Sequence, residues 1–141
     1  MKELPIKLEG IIYRTINDRI EYLLIKRTPE DGGFWQPVTG TLEDGENLIN
    51  CLKREISEEI GITEILRISD ILHTFNWEKK DGTVITEYVY AVEIKNDSII
   101  TLSPNEHDDY IWLPYSEAKD TLLTDNNKES LRIINGFLTI Q

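Results

Sequence analysis

Apolar and polar residues alternate near the start of the chain in a pattern that predicts two paired strands. Residues 6–16 and 20–27 are rich in β-branched and aromatic side chains, and Asn17-Asp18 between them is typical of a hairpin turn. The apolar side chains that we expect to face the core are Ile11, Tyr13, Leu23 and Ile25. The chain is therefore expected to begin with a β-hairpin.

The next segment predicts a loop and then an extended stretch. Residues 28–33 contain one proline and two glycines, which favour a loop. Residues 34–38 are apolar enough to form a short strand, but Pro37 cannot donate a backbone hydrogen bond. We therefore expect this strand to lie at a sheet edge.

The second half of the chain predicts a further hairpin, a long loop and two helices. The expected elements are extended residues 64–77, a turn at 79–82, a strand at 84–94, a polar loop at 96–109 with at most a short strand at 98–102, and a strand at 111–113. Ser116 is expected to cap a short helix through Leu123, and residues 126–140 to form a terminal helix. The apolar positions of that last helix are Leu131, Ile134, Phe137 and Leu138. Trp77 and Trp112 are expected in the core.

Residues 40–62 predict a tight acidic loop followed by an amphipathic helix that ends at Gly61. On a helical wheel of ~100° per residue, Glu59 lies at about 40° from Glu55 and Glu58 at about −60°. The apolar residues of the same helix span about 20° to 140°, so Glu55 and Glu59 fall at the edge of the apolar arc or inside it.

Two interpretations of this carboxylate stripe are open. In the first, the glutamates lie on a solvated face and form local salt bridges with Lys53 and Arg54. In the second, they are half-buried and close together, so they repel one another and need a compensating cation. The overlap with the apolar arc favours the second interpretation, with Arg54 or a bound divalent metal as the cation.

Composition bounds the class of protein and its partners. The chain has 141 residues, of which 40% are hydrophobic, and this is about the size of one domain, expected over residues 1–141. A net charge of −11 repels nucleic-acid polymers and anionic membranes, so neither is an expected partner. A small phosphate ligand remains compatible with this charge if a metal or a basic group offsets the field.

The first residues and the cysteine count bear on location and redox chemistry. The stretch MKELPIKLEG lacks the apolar core of a signal peptide, and no run approaches the ~18 apolar residues of a membrane span, so we expect a cytoplasmic protein. The single cysteine, Cys51, excludes an internal disulfide. It borders the glutamate stripe, and we expect it to pack rather than to bind a hard metal ion.

Residues 40–62 fit the pattern G-x5-E-x7-R-E-U-x-E-E-x-G-U, in which U is apolar. The specified positions are filled by Gly40, Glu46, Arg54, Glu55, Ile56, Glu58, Glu59, Gly61 and Ile62. This segment resembles the signature of the Nudix hydrolases without any departure. The resemblance implies an α/β (α+β) fold, an α/β/α sandwich with a mixed sheet and a catalytic loop and helix. It also implies hydrolysis of a diphosphate linkage by water.

The resemblance assigns roles to the residues of the motif. Glu55, Glu58 and Glu59 would bind Mg²⁺ or Mn²⁺, with the backbone carbonyl of Thr39 as a further ligand. Arg54 would orient these glutamates and pair with Glu46, which places both among the catalytic residues. Several carboxylate oxygens at one point also suit a hard cation on chemical grounds. The pattern does not assign the general base to one glutamate.

Two flanking segments resemble one branch of the family, the dihydroneopterin triphosphate and deoxynucleoside triphosphate pyrophosphatases. The first is FWQPVTG at residues 34–40, and the second is NEHDDYIWL at 105–113. By this resemblance Glu106 would join the metal site, although a role as a polar loop residue is the alternative. Residues 65–94 are shorter than in that branch and lack a pterin signature.

The residues that we expect to bind substrate lie around the same segments: Trp35, Arg27, Gly40 and His107. Trp35 would stack on a flat ring, with packing at the core or rim as an equal alternative. Arg27 would bind phosphate. His107 would neighbour the phosphates, and an exposed histidine without a role is the alternative.

The expected function is Mg²⁺-dependent hydrolysis of a nucleoside or pterin triphosphate, such as dATP or dihydroneopterin triphosphate, to a monophosphate and pyrophosphate. One alternative is a Nudix hydrolase of an oxidised nucleotide, a dinucleoside polyphosphate or a nucleotide sugar. Another is a non-catalytic nucleotide-binding module. A purely structural acidic domain would leave the carboxylate stripe unexplained. The expected partner is the small-molecule substrate alone, bound by a monomer or a homodimer.

Overall fold

A computed structural model describes residues 3–140. The chain forms an eight-stranded mixed sheet with one helix on one face and two on the other. The strands are β1 (Glu3–Ile16), β2 (Arg19–Arg27), β3 (Trp35–Gln36), β4 (Val38–Glu43), β5 (Arg67–Ile68), β6 (His73–Glu78), β7 (Val84–Glu93) and β8 (His107–Leu113). The helices are α1 (Leu48–Ile60), α2 (Tyr115–Thr121) and α3 (Asp125–Thr139), and a 3-10 turn covers Pro29–Asp31. The predicted mixed-sheet α/β/α sandwich is confirmed.

The long strand β1 organises the sheet. It pairs antiparallel with β2 near its end and with β4 along its first half, and it pairs parallel with β7. The remaining pairs, β2 with β3 and β8, and β7 with β5 and β6, are all antiparallel. Helix α1 packs against β4 and β1 of this sheet.

Two separate cores lie on the two faces of the sheet, which corrects the expectation of one core. Leu23 and Ile25 pack with α1 in the first core, whereas Ile11 and Tyr13 pack with α2 and α3 in the second. Successive residues of a strand point to opposite faces, so a strand covered on both sides buries all its apolar positions. Among residues 3–140, no helix is long and apolar enough to cross a membrane.

The hairpin turns are as expected, and both follow from local backbone chemistry. Asn17 and Asp18 have φ values of 51° and 64°, the left-handed conformation that a two-residue hairpin turn needs. The turn before β7 is closed by the Lys79 N–H, which donates to the Thr83 carbonyl at 2.8 Å.

Several boundaries differ from the prediction. The segment 40–43 belongs to β4 rather than to a loop, and β8 begins at His107 instead of residue 111, because both stretches pair with neighbouring strands. Helix α2 begins at Tyr115 with Pro114 at its N-cap, so the prediction that Ser116 caps it is wrong.

Of the two tryptophans that were expected in the core, one lies differently from the prediction. Trp77 is half-buried and lines a cavity described below.

Candidate active site

Helix α1 carries one buried and one half-buried glutamate on the side that packs against the sheet. Asn47 caps the start of the helix, and its side chain accepts a hydrogen bond from the Asn50 N–H at 2.8 Å. It ends at Gly61, where a φ of 70° gives the left-handed cap that was predicted. Glu59 is only 3% exposed, although it is acidic. Cys51 is fully buried, and burial raises the pKa of its thiol to about 12, as befits a packing residue.

The exposure of the three glutamates follows their positions on the helix. The side chains of Glu59 and Glu55 are 4% and 17% exposed, whereas that of Glu58 is 53% exposed. The wheel placed Glu55 and Glu59 against the apolar arc and Glu58 outside it, which is the order seen here. The purely solvated interpretation of the stripe is therefore wrong for Glu59.

An acidic cavity of about 310 Å³ lies between α1, β4 and the start of β8. We call it the acidic cavity. Its charged lining residues are Lys7, Arg27, Asp31, Glu43, Glu55, Glu59 and Glu106, and Gln36, Thr39, Gly40, Thr41 and His107 complete it. Glu58 is not among the described residues that line it.

Gly40 lets Glu55 lie directly on β4. A Cβ atom at Gly40 would overlap Cγ, Cδ and Oε2 of Glu55. Any side chain at this position would therefore displace the Glu55 carboxylate from the acidic cavity. Glycine is therefore needed at position 40 to leave space for the Glu55 side chain, and not to form a turn.

Arg54 connects the loop before α1 to the glutamates. Its Nε donates to Glu46 at 2.6 Å and its Nη2 to the other oxygen of the same carboxylate at 2.9 Å. Its Nη1 donates to Glu55 at 2.7 Å and to Glu58 at 3.1 Å. The expected contact between Arg54 and Glu46 is present, and it lowers the pKa of Glu46 to about 2.

The Glu55 and Glu59 carboxyls share the interior of the acidic cavity. Burial, followed by the contact with Glu55 and the nearby charges of Glu55 and Glu106, raises the pKa of Glu59 to about 10. Burial also raises the pKa of Glu55, although Arg54 opposes this effect. In the absence of a cation the pair therefore holds a proton, because two close buried carboxylates do not both ionise.

A chain of hydrogen bonds positions His107 at the opposite wall. Arg27 Nε donates to Gln36 Oε1 at 2.8 Å, and Gln36 Nε2 lies 3.1 Å from His107 Nε2. Burial and the Arg27 charge lower the pKa of His107, so its ring is neutral and its Nε2 can accept from the Gln36 amide. His107 is 3% exposed, so the alternative of an exposed histidine without contacts is wrong.

The acidic cavity has the donor set of a divalent cation site. One ligand atom from each of Glu59, Glu106 and His107 lies within 4.8 Å of the others. Glu59 Oε2 is buried and accepts no hydrogen bond from the residues that the structure describes. A buried carboxylate oxygen without a partner is costly, and a cation would satisfy it. Because most of these ligands are carboxylates, the site suits a hard ion such as Mg²⁺ or Mn²⁺.

A second cavity of about 330 Å³ adjoins the first, and we call it the aromatic cavity. Lys7, Arg27, Gln36 and Thr39 line both cavities. The residues that line only the aromatic cavity are Phe34, Phe75, Trp77, Glu87, Thr124, Asn126 and Asn127. The shared wall is thus polar and carries two positive charges, and the second cavity extends it with three aromatic side chains.

Two further carboxyls lie on the α3 face of the sheet, and one of them, Glu87, lines the aromatic cavity. Glu9 of β1 is fully buried, and Glu87 of β7 is 4% exposed. The two residues share a face, because Glu9 pairs with Val89 in the parallel register and Glu87 lies two residues before Val89. Burial and the Glu87 charge raise the pKa of Glu9 well above its usual range.

Hydrogen bonds hold both members of this second pair. Glu87 Oε1 accepts from Trp77 Nε1 at 2.9 Å. Glu9 Oε1 accepts from Asn127 Nδ2 at 3.2 Å and from the Ser130 hydroxyl at 3.4 Å. Both acceptors are therefore fixed to neighbouring elements, β6 and α3.

The structure brings together most of the site residues that the sequence predicted. Glu55, Glu59, Glu106, Thr39, Gly40, Arg27 and His107 all line the acidic cavity. Glu58 lies at its margin against Arg54, where its role stays a prediction. Trp35 is not among the described residues that line either cavity. It packs instead against the second core, with the Lys26 ammonium 6.0 Å from its ring, which favours the packing alternative.

Sequence reasoning missed the other residues that line these cavities. Lys7 and Glu87 lie in strands where a charged residue suggests only a solvated face. Gln36 and Phe34 belong to the segment FWQPVTG, but the predicted site residues of this segment were Trp35, Thr39 and Gly40. The alternation along the segment was a usable signal, because Gln36 and Trp35 must point to opposite faces.

The sheet between two helical layers, with α1 beside β4, defines the class as a Nudix-type hydrolase fold. The chain belongs to the Nudix family, since the NUDIX domain model matches residues 10–135. The motif at residues 40–62 lies inside this range, and named hydrolases are among the relatives. The chain is therefore a Nudix hydrolase.

Three similarities illustrate the range of related proteins. The chain is 34% identical over 111 residues to an octanoyltransferase of Myxococcus xanthus, covering 78% of this chain and 31% of that protein. It is 27% identical to the dihydroneopterin triphosphate diphosphatase of Escherichia coli K12, covering 94% of each. The binary complex of a C. elegans Ap4A hydrolase superimposes with a TM-score of 0.81 at 26% identity, covering 94% of this chain and 96% of that one.

The names of these three related proteins describe different activities. The chain spans about a third of the length of the Myxococcus protein, so that protein's activity does not transfer as a whole. The other two names describe hydrolases of different phosphate compounds. The similarities alone do not identify the substrate of this chain.

Proposed function

We propose that this Nudix hydrolase is a Mg²⁺-dependent or Mn²⁺-dependent pyrophosphohydrolase of a nucleoside or pterin triphosphate. The observation that carries the proposal is the continuity of the two cavities. Lys7 and Arg27 line both of them, between the carboxylates on one side and the aromatic side chains on the other. A flat ring with a polyphosphate chain matches this order of surfaces: apolar, then cationic, then acidic.

The acidic cavity would hold the cation. The residues that would bind it are Glu55, Glu58, Glu59, Glu106 and the Thr39 carbonyl. When bound, a divalent cation neutralises phosphate charge and lowers the pKa of a coordinated water. The unsatisfied oxygen of buried Glu59 supports this assignment, because it needs a cation or a donor.

The chain's own residues supply binding and orientation. Lys7 and Arg27 would bind phosphate oxygens where the polyphosphate of the substrate crosses the wall that the two cavities share. Arg54 holds Glu46 and Glu55 in place, and Gly40 lets Glu55 approach β4. Preorganised groups of this kind are the main source of catalysis in phosphoryl transfer.

The proposed reaction is the attack of water on one phosphorus, which forms a new P–O bond and breaks the anhydride P–O bond. A carboxylate of the acidic cavity accepts the water proton, and Lys7 and Arg27 offset charge on the departing pyrophosphate. The products are a monophosphate and pyrophosphate. The partner that this reaction requires is the small-molecule triphosphate.

A second candidate is hydrolysis of a dinucleoside polyphosphate. The similarity to the C. elegans Ap4A hydrolase over almost the whole chain favours it. The products separate the two candidates, because hydrolysis of one anhydride in Ap4A releases two nucleotides, ATP and AMP or two ADP, and no pyrophosphate.

The test is product analysis with dATP, dGTP, dihydroneopterin triphosphate and Ap4A, each with and without Mg²⁺. The proposal expects pyrophosphate and a monophosphate from at least one triphosphate, only with the cation. Glu58→Gln should lower turnover by at least about a hundredfold if Glu58 is a ligand. Glu117→Gln on exposed α2 is the matched control and should retain activity. Equal inertness toward all four compounds would contradict the proposal.

A further inference from the structure

The buried carboxyl of Glu87 is unusual because it lies at a cavity and not only in a core. It is 4% exposed, yet it lines the aromatic cavity together with Phe34, Phe75 and Trp77. Aromatic side chains provide the flat apolar surface on which a heterocycle stacks. A carboxyl among them provides a directed polar contact for one edge of that ring.

Glu9 lies on the same face as Glu87 and gives the pair a second unusual feature. Glu9 Oε2 is fully buried and has no hydrogen-bond partner within residues 3–140. Burial and the neighbouring charge of Glu87 raise the pKa of Glu9 well above its usual range, so Glu9 is protonated and this oxygen can donate its proton to Glu87. Glu9 therefore supports Glu87 from behind, while Glu87 alone reaches the aromatic cavity.

The hydrogen bonds already present define what Glu87 can offer to a ligand. Trp77 Nε1 donates to Glu87 Oε1, so this carboxyl acts as an acceptor. A ring edge facing it must therefore present N–H donors. Two adjacent donors match the two oxygens of a carboxylate best, as in the bidentate pairs that carboxylates form with arginine.

Few common rings present two adjacent N–H donors. A 2-amino-4-oxopyrimidine ring does so through its ring N–H and its amino group, and guanine and pterin share this edge. Adenine and cytosine place an acceptor nitrogen beside their amino group, and uracil and thymine offer a single N–H between two carbonyls. An acceptor-only carboxyl would leave these edges mismatched, at a cost in affinity.

The amides at the start of α3 complete the pattern. Asn126 and Asn127 line the same cavity, and each side-chain amide carries both donors and acceptors. The carbonyl oxygen next to the ring N–H of guanine or pterin needs a donor, which an asparagine amide supplies. We propose that Glu87, supported by Glu9, binds the amino and ring N–H edge of a 2-amino-4-oxopyrimidine ring and thereby selects guanine or pterin triphosphates over adenine ones.

This inference rests on the proposed function for its triphosphate, and the experiment separates the two. Equilibrium binding of GMP, IMP, AMP and dihydroneopterin monophosphate is measured without a divalent cation, so no hydrolysis is needed. The full chain should bind GMP and the pterin monophosphate at least about tenfold more tightly than IMP or AMP. IMP differs from GMP only by the missing amino group, so it isolates the proposed contact.

Glu87→Gln should reduce GMP affinity by about tenfold or more while leaving AMP affinity nearly unchanged, because a hydrogen bond to a charged acceptor is lost. Glu78→Gln, an exposed acid on β6, is the matched control and should bind like the unmodified chain. Thermal unfolding of each variant establishes that it is folded. If Glu87→Gln does not fold, the comparison of GMP with IMP on the unmodified chain decides.

Equal affinity for GMP, IMP and AMP would overturn the inference, and so would a folded Glu87→Gln variant that keeps the GMP preference. Preference for GMP over pterin, or the reverse, identifies which of the two sources of this edge is bound. If the monophosphates are discriminated as expected but no triphosphate releases pyrophosphate with Mg²⁺, the proposed function fails and the ring recognition stands.

Discussion

Within residues 3–140, two pairs of carboxyls lie partly or fully buried, and they differ in their surroundings. Glu55 and Glu59 face further acids, a neutral histidine and the bare backbone at Gly40. In the second pair, Glu87 faces aromatic rings and Glu9 contacts the Asn127 amide of α3. Burial raises the pKa of Glu59 and of Glu9 alike. Each pair thus contains one carboxyl whose ionised form is destabilised by burial.

Burial alone therefore does not specify what a carboxyl binds. In the first pair, ligand atoms of Glu106 and His107 lie within 4.8 Å of one of Glu59, so a bound cation would relieve the repulsion between the carboxylates. The second pair receives N–H donors from Trp77 and Asn127, so it is already part of a hydrogen-bonded wall. One pair suits a metal ion and the other suits a ring edge, because their neighbours differ.

Replacing Glu59, the buried acid of the first pair, should have the greatest effect on turnover. Glu59→Gln keeps the shape but removes a cation ligand, so we expect turnover with Mg²⁺ to fall by about a thousandfold. Steady-state kinetics and Mn²⁺ titration measure the effect, with Glu117→Gln on α2 as the exposed control. Normal turnover in a folded Glu59→Gln variant would mean that this pair does not hold the catalytic cation.

A smaller loss of turnover is expected when the space beside Glu55 is filled. Gly40→Ala introduces a Cβ that overlaps Glu55, so we expect turnover to fall by about tenfold to a hundredfold as the carboxylate is displaced. Gly136→Ala is the matched control, because its Cβ would meet nothing within 4 Å and alanine favours a helix. Activity assays and thermal unfolding of both variants are compared. Unchanged turnover in Gly40→Ala would show that the close approach of Glu55 is dispensable.

The smallest effect is on stability and concerns the second pair. The folded pKa of Glu9 lies above 4.5, so above pH 4.5 the folded chain binds a proton that the unfolded chain has released, and stability falls as pH rises. Glu9→Gln imitates the protonated form at every pH. We therefore expect it to raise the melting temperature by about 3–5 °C at pH 7 to 8 and to have little effect at pH 4.

Thermal unfolding of Glu9→Gln and of the unmodified chain across this pH range measures the difference. Glu78→Gln, which is exposed on β6, should show no such pH-dependent gain. A gain that is equal at pH 4 and pH 8 would contradict a raised Glu9 pKa.

The first pair could be predicted from the sequence because its geometry is local. Glu55 and Glu59 are four residues apart on one helix, so periodicity alone places them on one face and against the apolar arc. The same argument predicted the exposed position of Glu58. The contact of Arg54 with Glu46 followed from resemblance, since the intervening loop has no periodicity.

The second pair could not be predicted, because its members come together only through the parallel pairing of β1 with β7. In sequence Glu9 and Glu87 each look like a polar position on a half-exposed strand. The covering of both sheet faces by helices turns such positions inward. For the same reason, the sequence did not reveal that Ile11 and Leu23 belong to different cores.

Motif spacing and helical periodicity act over a few residues, so the sequence alone predicts the family, the helix α1 and the side of that helix on which the glutamates lie. The aromatic residues that line the aromatic cavity could be identified only from the tertiary structure. The same holds for the presence of Lys7, Gln36 and Glu87 in its lining and for the absence of Trp35 from the described lining residues. These facts depend on strand pairing between distant segments, and a one-residue change of register would reverse each of them.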